Sequence, residues 1–258
     1  MRLIIDTKTK IDIFVAIFQL LKNWSTNINI HFQDTKLYIQ SMDKSHICLA
    51  NIEISKEWFT EYQQDSNTKI SVDSSHLAII LNYALKHEKI EIKFEDEAEP
   101  DKLYINFLNK ETKGSFDHFF EVPLIDFDEE SLEIPEVEYD VEFSSNSKKM
   151  SDLFSELLVF GSDLNITCDE NTLEFNSEGD SGKLKVNIPI DDLHEFAISE
   201  GEKISVSYSL NHLSKMCTST KLSSNIAISI SSEYPMALKY DLGDNSNVVF
   251  YIAPKVMD

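Results

Sequence analysis

The chain has 258 residues, of which 42% are hydrophobic and 10% aromatic, so its composition is that of a packed globular protein and excludes a largely disordered one. Its 45 acidic residues outnumber its 23 basic residues, giving a formal net charge of -22, and Arg2 is the only arginine. Because an acidic surface repels nucleic acid and the reading of guanine relies on arginine, this composition argues against a sequence-specific DNA reader.

Cysteine spacing and the N-terminal segment bear on the compartment. Cys48, Cys168 and Cys217 are far apart and odd in number, which predicts reduced core thiols and neither a disulfide framework nor a zinc site. The N-terminus lacks a signal-peptide pattern, and no run approaches the roughly 18 apolar residues that span a bilayer. We therefore expect an intracellular protein that is neither secreted nor held in a membrane.

The first half of the chain shows two helical patterns among several strand patterns. Apolar spacing predicts one helix from Asp12 to Lys22 and a second over 74–86, which Asp73 or Ser74 can cap. Alternating apolar residues predict strands over 27–32, 36–41, 46–54, 89–94, 102–108 and 115–122.

Residues 124–135, LIDFDEESLEIP, fall almost at the midpoint of the chain. Apolar residues recur around an acidic centre of Asp126, Asp128, Glu129 and Glu130, and Pro135 stops any helix. This pattern predicts an extended connector that lies along a protein surface with its acidic residues in solvent.

The second half repeats the order of the first. Strand patterns cover 138–143, 164–177 as a hairpin, 183–188, 203–208, 225–231, 236–242 and 248–253, and helical patterns cover 148–160 and 209–219. An offset of 136 residues superposes Asn29 on Asn165, Ser71 on Ser207 and His76 on His212 without a shift of register. We therefore predict a duplicated domain, with domains at 1–123 and 136–258 joined by the connector at 124–135.

Two helices and about eight or nine strands in each half indicate an α+β fold. Two helices cannot cover both faces of so many strands, so we expect them on one side of curved antiparallel sheets. The strands at 115–122 and 183–188 are candidates for open sheet edges that another subunit could complete.

Four segments together resemble the proliferating cell nuclear antigen family of DNA sliding clamps. They are QSMDKSHICLANIEI at 40–54, LIDFDEESLEIPEVEY at 124–139, KLSSNIAISISSEYPMALKYDL at 221–242 and FYIAPKVMD at 250–258. The similarity extends over essentially the whole chain. It implies a head-to-tail homotrimeric ring with the DNA clamp fold, in which sheets lie outside and helices line a channel around duplex DNA.

The resemblance also implies a function without catalysis or cofactor. A clamp of this family tethers DNA polymerase and other replication and repair proteins to DNA, in the nucleus or at a site of viral DNA replication, and an ATP-driven clamp loader opens it. Partners dock through a peptide of the form Gln-x-x-aliphatic-x-x-aromatic-aromatic, the PIP box, in a pocket beneath the connector.

Carried over residue by residue, the resemblance implies three sets of site residues. The peptide-binding set is Gln40, Met42, His46, Ile47, Leu132, Ile134, Pro235, Tyr251, Ile252, Ala253 and Pro254. The DNA-facing set is Lys8, Lys10, Lys22, His76, Asn82, Lys86, Lys148, Lys149, His212, Lys215 and Lys221. The subunit-interface set, taken from the two candidate edges, is Phe116, His118, Phe119, Phe120, Lys183, Leu184, Lys185 and Val186.

The sequence departs from the family in two places. The predicted channel helices carry few cations, which indicates weak direct affinity for DNA that salt easily removes. Glu170 stands where the family has a lysine that accepts ubiquitin, which argues against that modification here.

Two alternative functions are open at this point. The acidic residues of the connector, or those between Glu95 and Asp101, could ligate magnesium in an enzyme, although acidic runs in so acidic a chain are usually solvated loops. Neither a histidine ligand motif nor a glycine-rich phosphate loop supports an enzyme. The second alternative is a divergent clamp subunit, either of a heterotrimeric checkpoint-type clamp or of a viral transcription factor; the weakly basic channel favours it and the retained pocket residues oppose it.

Overall fold

The computed structural model describes residues 1–64, 66–94, 101–109 and 116–255. The chain forms two compact units. The first comprises Met1–Lys44, Ala50–Leu132 and Leu242–Val248, and the second comprises Ser45–Leu49, Glu133–Asp241 and Val249–Asp258.

The first half of the chain carries nine strands and two α-helices among its described residues. In order they are β1 (Arg2–Ile5), α1 (Lys8–Leu21), β2 (Asn27–Phe32), β3 (Lys36–Met42), β4 (Cys48–Ser55), β5 (Glu61–Gln63), β6 (Thr68–Asp73), α2 (Ser74–Tyr83), β7 (Lys89–Lys93), β8 (Lys102–Leu108) and β9 (His118–Pro123).

The second half repeats that order. Its elements are β10 (Val141–Asn146), α3 (Ser147–Leu158), β11 (Asp163–Cys168), β12 (Leu173–Gly179), β13 (Gly182–Ile188), β14 (Glu195–Ile198), β15 (Ile204–Ser209), α4 (Leu210–Met216), β16 (Asn225–Ile230), β17 (Met236–Gly243) and β18 (Ser246–Ile252). Strands β11 and β15 begin 136 residues after β2 and β6, so the predicted duplication and its offset are confirmed.

The sheets are antiparallel, which confirms the α+β class. The first unit contains a five-stranded sheet in the order β5-β1-β7-β8-β9, and a second group in which β2 lies between β3 and β6. The second unit contains a four-stranded sheet in the order β13-β12-β11-β15, and a group in the order β14-β10-β16-β17. Strands β9 and β13 each end a sheet, as expected of the two candidate edges.

Four strands and several helix boundaries differ from prediction. Strands β1, β5, β6 and β14 were not predicted: β5 has three residues, β1 and β14 have four, and β6 runs into α2 without a turn. Helix α1 begins at Lys8, four residues before the predicted start at Asp12. The prediction missed this first turn because its residues are mostly polar and show no apolar spacing. Helix α4 ends at Met216, three residues earlier than predicted.

The core of the first unit is built on α1. From Ile11 to Leu21 this helix has no exposed residue, and Gln19 donates from its side chain to the carbonyl oxygen of Ala78 on α2 at 2.8 Å. The ring of Phe14 lies 6.5 Å from that of Trp58, which is fully buried. Helix α2 begins as predicted, with the Asp73 side chain accepting a hydrogen bond from the His76 backbone N–H at 2.6 Å.

None of the described helices is long and apolar enough to cross a membrane.

Candidate functional site

Side chains of β2 and β6 hold the connector within the first unit. The backbone N–H of Ile125 donates to the carbonyl oxygen of Ser71 at 2.9 Å, and the Ser71 hydroxyl donates to the carbonyl oxygen of Phe127 at 3.0 Å. Asn29, opposite Ser71 in the ladder, donates from its side-chain amide to the carbonyl oxygen of Glu129 at 3.4 Å. Residues 124–132 thus lie extended across these strands, as their sequence pattern predicts.

One acidic residue of the connector also takes part in this attachment. The Lys69 ammonium lies 2.6 Å from a carboxylate oxygen of Asp128 and lowers the pKa of that carboxyl through a hydrogen bond and its charge. This contact gives the Asp128 side chain a role in attachment. Of the alternative acidic cluster, Glu95, Asp96, Glu97 and Glu99 lie outside the described residues.

Gln40, on β3, provides the last attachment along the connector. Its side-chain oxygen accepts from the backbone N–H of Leu132 at 2.6 Å, and its side-chain nitrogen donates to the Leu132 carbonyl oxygen at 3.0 Å. Gln40 is only 8% exposed, whereas the Leu132 side chain is 49% exposed. Gln40, a member of the predicted peptide-binding set, thus binds the backbone of the connector.

Another part of the predicted peptide-binding set lies together within the second unit. The backbone N–H of Ala253 donates to the carbonyl oxygen of Ile47 at 3.1 Å, so the loop before β4 meets the segment after β18. Two residues later, the Lys255 N–H donates to the carbonyl oxygen of Ser207 on β15 at 2.7 Å. The Ile47 side chain is 40% exposed, which leaves an apolar group at the surface of this unit.

The remaining members of the set differ in exposure. Pro235 is exposed, and Met42, Ile134, Tyr251 and Pro254 are half-buried. Ile252 is fully buried, since it alternates with Tyr251 along β18 and faces the core, and its side chain is not open to a partner. Tyr234, which sequence reasoning missed, is 39% exposed beside Pro235.

His212 has a different environment from the one predicted for a DNA-facing residue. One ring nitrogen lies 3.1 Å from the Ser45 hydroxyl and the other lies 2.9 Å from the Ser209 hydroxyl. The ring thus joins the loop before β4 to the start of α4, and both of its nitrogens are hydrogen-bonded within the protein.

Two other cations predicted to face DNA are bound by the protein itself. The Lys8 ammonium donates to the Leu85 carbonyl oxygen at 2.6 Å and lies 3.0 Å from a carboxylate oxygen of Asp12. The Lys10 ammonium donates to the Trp58 carbonyl oxygen at 2.7 Å and contacts Asp244, also at 2.7 Å.

The exposed surfaces of the helices carry acidic as well as basic groups. On α3, the Lys148 ammonium lies 2.9 Å from a carboxylate oxygen of Asp152, and Glu156 is exposed on the same helix. Lys22 is half-buried, whereas the exposed members of the predicted DNA-facing set on or next to α2, α3 and α4 are His76, Asn82, Lys86, Lys149, Lys215 and Lys221. The helix surfaces therefore carry carboxylates among their cations, and one of these carboxylates pairs with Lys148.

The only arginine is located on a sheet. The Arg2 guanidinium lies 2.5 Å from a carboxylate oxygen of Glu61 and 2.8 Å from one of Glu91. Burial of the Glu91 carboxyl would raise its pKa, but hydrogen bonds from Asn106, Lys93 and this arginine outweigh burial and lower the pKa to about 2. Arg2 therefore neutralises a buried carboxylate in the β5-β1-β7-β8-β9 sheet.

The edge formed by β9 presents large apolar side chains. Phe116 and Phe119 are 78% and 70% exposed, and the ring of the half-buried Phe120 stacks on that of Tyr83 at 6.4 Å. Ile79 and Tyr83, one turn apart on α2, are 59% and 47% exposed and extend this surface. Sequence reasoning predicted the helix over 74–86 but did not single out either residue as exposed.

The edge formed by β13 is different in character. Leu184 and Val186 are half-buried, and the lysines between and beside them pair with carboxylates on β12: Lys183 with Glu178 at 3.0 Å and Lys185 with Glu174 at 2.5 Å. At the end of α3, Val159 is 69% exposed and adds an apolar group that sequence reasoning missed.

Glu170 is engaged with a neighbouring loop. Its carboxylate accepts a hydrogen bond from the backbone N–H of Gly201 at 3.0 Å. The position at which the resemblance implies a modified lysine thus holds an anion with a structural partner.

Comparisons with known proteins cover both halves of the chain. The family model for the proliferating cell nuclear antigen N-terminal domain matches residues 7–131, and the model for the C-terminal domain matches residues 133–255. Proliferating cell nuclear antigen of Chaetomium thermophilum is 28% identical over 251 residues, covering 95% of each chain. Proliferating cell nuclear antigen 2 of Plasmodium falciparum is 27% identical over 255 residues, covering 95% of this chain and 96% of the relative.

Proposed function

Because the chain belongs to the proliferating cell nuclear antigen family of DNA sliding clamps, we propose that it acts as a homotrimeric ring that encloses duplex DNA and tethers DNA polymerase and other replication and repair proteins. The attachment of the connector to β2, β3 and β6 is the observation that carries this proposal, because it fixes an exposed apolar residue, Leu132, beside an ordered strand.

Ring closure would use the two sheet edges. An edge strand offers unpaired backbone N–H and C=O groups, and β9 and β13 are different surfaces of one chain, so their pairing between copies is head-to-tail and closes a ring at the right rotation. The exposed Phe116 and Phe119, with Ile79 and Tyr83, supply apolar area for that contact. Each buried aromatic side chain contributes about 1.5–3 kcal/mol.

The ring would hold DNA by enclosure, with the four helices facing the channel. The helix surfaces carry few uncompensated cations, and counterion release scales with the number of phosphates neutralised. Direct affinity for duplex DNA is therefore low. Such weak contacts with phosphate do not depend on sequence and would let the ring move along the DNA.

Partner docking would use the peptide-binding set. In this proposal Leu132, Ile134, Ile47, Ala253 and Pro254 would provide the apolar contacts for a Gln-x-x-aliphatic-x-x-aromatic-aromatic peptide. Two aromatic side chains entering an apolar pocket provide most of a micromolar affinity, about 8 kcal/mol. The clamp loader would act on the same ring in the nucleus, or at a site of viral DNA replication, and the clamp itself performs no catalysis and needs no cofactor.

Peptide titration tests this docking function. A Gln-x-x-Ile-x-x-Phe-Phe peptide is expected to bind the wild-type chain in the micromolar range by calorimetry, and Ile134→Asp is expected to abolish binding by placing a charge in an apolar wall. Glu130→Ala, an exposed change on the same connector, serves as the control and is expected to bind normally. Unaltered binding by Ile134→Asp would show that the docking wall is assigned to the wrong residues.

A divergent clamp subunit is the second candidate, and the pairing of helix lysines with carboxylates of the same chain favours it. Such a subunit would assemble with other chains in place of its own copies. Stimulation of a cognate polymerase on a long primed template separates the two functions, because a processivity clamp lengthens the product and a subunit of another assembly does not.

A further inference from the structure

Gln40 holds the connector by a pair of hydrogen bonds to one residue. Its amide accepts from the Leu132 N–H at 2.6 Å and donates to the Leu132 carbonyl oxygen at 3.0 Å, so it binds both backbone groups of that residue as a neighbouring strand would. A side-chain amide offers one donor and one acceptor with this spacing, which an ionised carboxylate cannot do. Gln40 is only 8% exposed, so its side-chain polar atoms are satisfied mainly by these two hydrogen bonds.

The Gln40 contact marks the end of the attached part of the connector. Attachments occur at Ile125, Phe127 and Glu129 and finally at Leu132. Among the described residues, no hydrogen bond holds the backbone of 133–138, and the next one is from the Asp140 N–H to the Ile230 carbonyl oxygen at 3.0 Å. Gln40 thus makes the last described attachment before the second unit, and it holds the backbone of the residue whose side chain is exposed.

The second repeat shows what this strand position does when no segment has to be held. In the register of β2 and β3, where His31 is opposite Tyr38, Gln40 falls opposite Asn29. The corresponding pair in the second repeat is Asn165 opposite Asn176, whose side chains bond each other at 3.5 Å. The shorter asparagine contacts its neighbour on the sheet, whereas the longer glutamine reaches the connector.

We propose that Gln40 is a positioning residue for peptide docking, which acts by fixing the backbone of Leu132 and makes no contact with the peptide. This inference rests on the proposed docking function. A backbone held in one place lowers the conformational cost of binding, because the wall that Leu132 forms is present before the peptide arrives.

Replacement by glutamate gives a test that depends on protonation. In Gln40→Glu, a carboxylate still accepts from the Leu132 N–H but cannot donate to the carbonyl oxygen, which it repels. Burial at this site and the adjacent carbonyl oxygen disfavour the carboxylate and raise the pKa of this carboxyl group, so it becomes protonated at pH 5. The protonated group regains one donor and one acceptor, and so reproduces the amide. Gln40→Met, of similar length and without polar atoms, cannot recover at any pH.

The experiment measures peptide affinity of the wild type and both variants at pH 8 and pH 5, expressed as ratios to the wild type at each pH so that titration of other groups cancels. We expect Gln40→Glu to bind roughly tenfold more weakly at pH 8 and to approach the wild type at pH 5, while Gln40→Met stays roughly tenfold weaker at both. Thermal unfolding of the variants checks that the fold is intact.

A second readout does not require the peptide. Hydrogen exchange of the Leu132 N–H is expected to be slow in the wild type and faster in Gln40→Met, with β2 and β3 amides unchanged. Slow exchange in Gln40→Met, or wild-type affinity of both variants at both pH values, overturns the inference and leaves the docking function standing. Weak binding of Gln40→Glu without recovery at pH 5 also overturns it, because the amide would then make a contact with the peptide that a protonated carboxyl group cannot replace. Failure of the wild type to bind any peptide removes the docking function itself and this inference with it.

Discussion

The β9 edge and the exposed helix surfaces differ sharply in what they offer to a partner. Around β9, Phe116 and Phe119 are 78% and 70% exposed, an unusual degree for aromatic side chains in a water-facing strand. On the helices, the ammonium groups of Lys8, Lys10 and Lys148 contact carboxylates of the same chain. The apolar surface is costly to leave in water, whereas three of the helix cations are already paired with carboxylates.

This difference indicates how much each surface would contribute to the free energies of assembly and of DNA binding. In the proposed ring, burial of the apolar edge would stabilise assembly, whereas the helix cations that are already paired would release few counterions from DNA. Such a ring would stay on DNA because it is closed, and its contacts with phosphate would add little. Arg2, the only arginine, lies in a sheet and pairs with Glu61, so it does not add a cation to the helix surfaces.

The largest effect is expected from a charge placed in the apolar edge. Phe119→Asp should raise the dissociation constant of the assembly by at least about a hundredfold, because each subunit contact loses a buried ring and gains a desolvated carboxylate. Light scattering across a concentration series measures this change. Phe119→Leu is the control and should assemble with only a modest loss.

The fold of the Phe119→Asp variant should remain intact, since the side chain is 70% exposed in the single chain. Its thermal unfolding as a dissociated chain should match that of dilute wild-type protein. An unchanged mass of Phe119→Asp at low micromolar concentration would exclude this edge from the subunit contact.

An intermediate effect is expected at Arg2, on stability and not on DNA binding. Hydrogen bonds outweigh burial and lower the Glu91 pKa from 4.5 to about 2, so this group stabilises the fold above pH 4.5 and its contribution is lost as the pH falls towards 2. Arg2→Met should therefore lower the melting temperature by a few degrees at neutral pH and flatten its decline between pH 4.5 and pH 2.

Lys93→Met provides the matched variant for this test, since Lys93 contacts the same carboxylate at 3.1 Å. It should show a smaller change of the same sign. A lower affinity for duplex DNA in Arg2→Met, with unchanged melting, would contradict the structural role of the arginine and the contrast between sheet and helices.

The smallest effect is expected on the helix surfaces. Lys149→Ala and Lys215→Ala each remove one exposed cation, so each should reduce the slope of log affinity for duplex DNA against log salt by less than about one. Fluorescence anisotropy with linear DNA between low and moderate salt measures the slope. A steep wild-type slope, of the size produced by many phosphate contacts, would show that the helix surfaces bind DNA directly.

Periodicity and turn residues were sufficient to predict most elements, because each half alternates apolar residues in a way that fits one buried sheet face. The repeat offset worked because Asn29 and Ser71 recur at Asn165 and Ser207 in paired strands of both halves. The strands at 115–122 and 183–188 were predicted as candidate edges, and β9 and β13 each end a sheet.

The partners of individual side chains could not be predicted from spacing. Nothing in the sequence indicates that Lys10 bonds to Trp58 and Asp244, because the three residues are brought together only by the tertiary fold. The attachment of Gln40 to Leu132 spans 92 positions and has no sequence signature. Ile79 was missed because an apolar residue on a helix is usually core, and only the packing of α2 shows which face is exposed.

The mass of the purified chain in solution tests the central claim most directly. Light scattering combined with native mass spectrometry at micromolar concentration is expected to give a single species of three times the 29.6 kDa of one chain. A species that remains at 29.6 kDa under the same conditions would contradict a self-assembling ring.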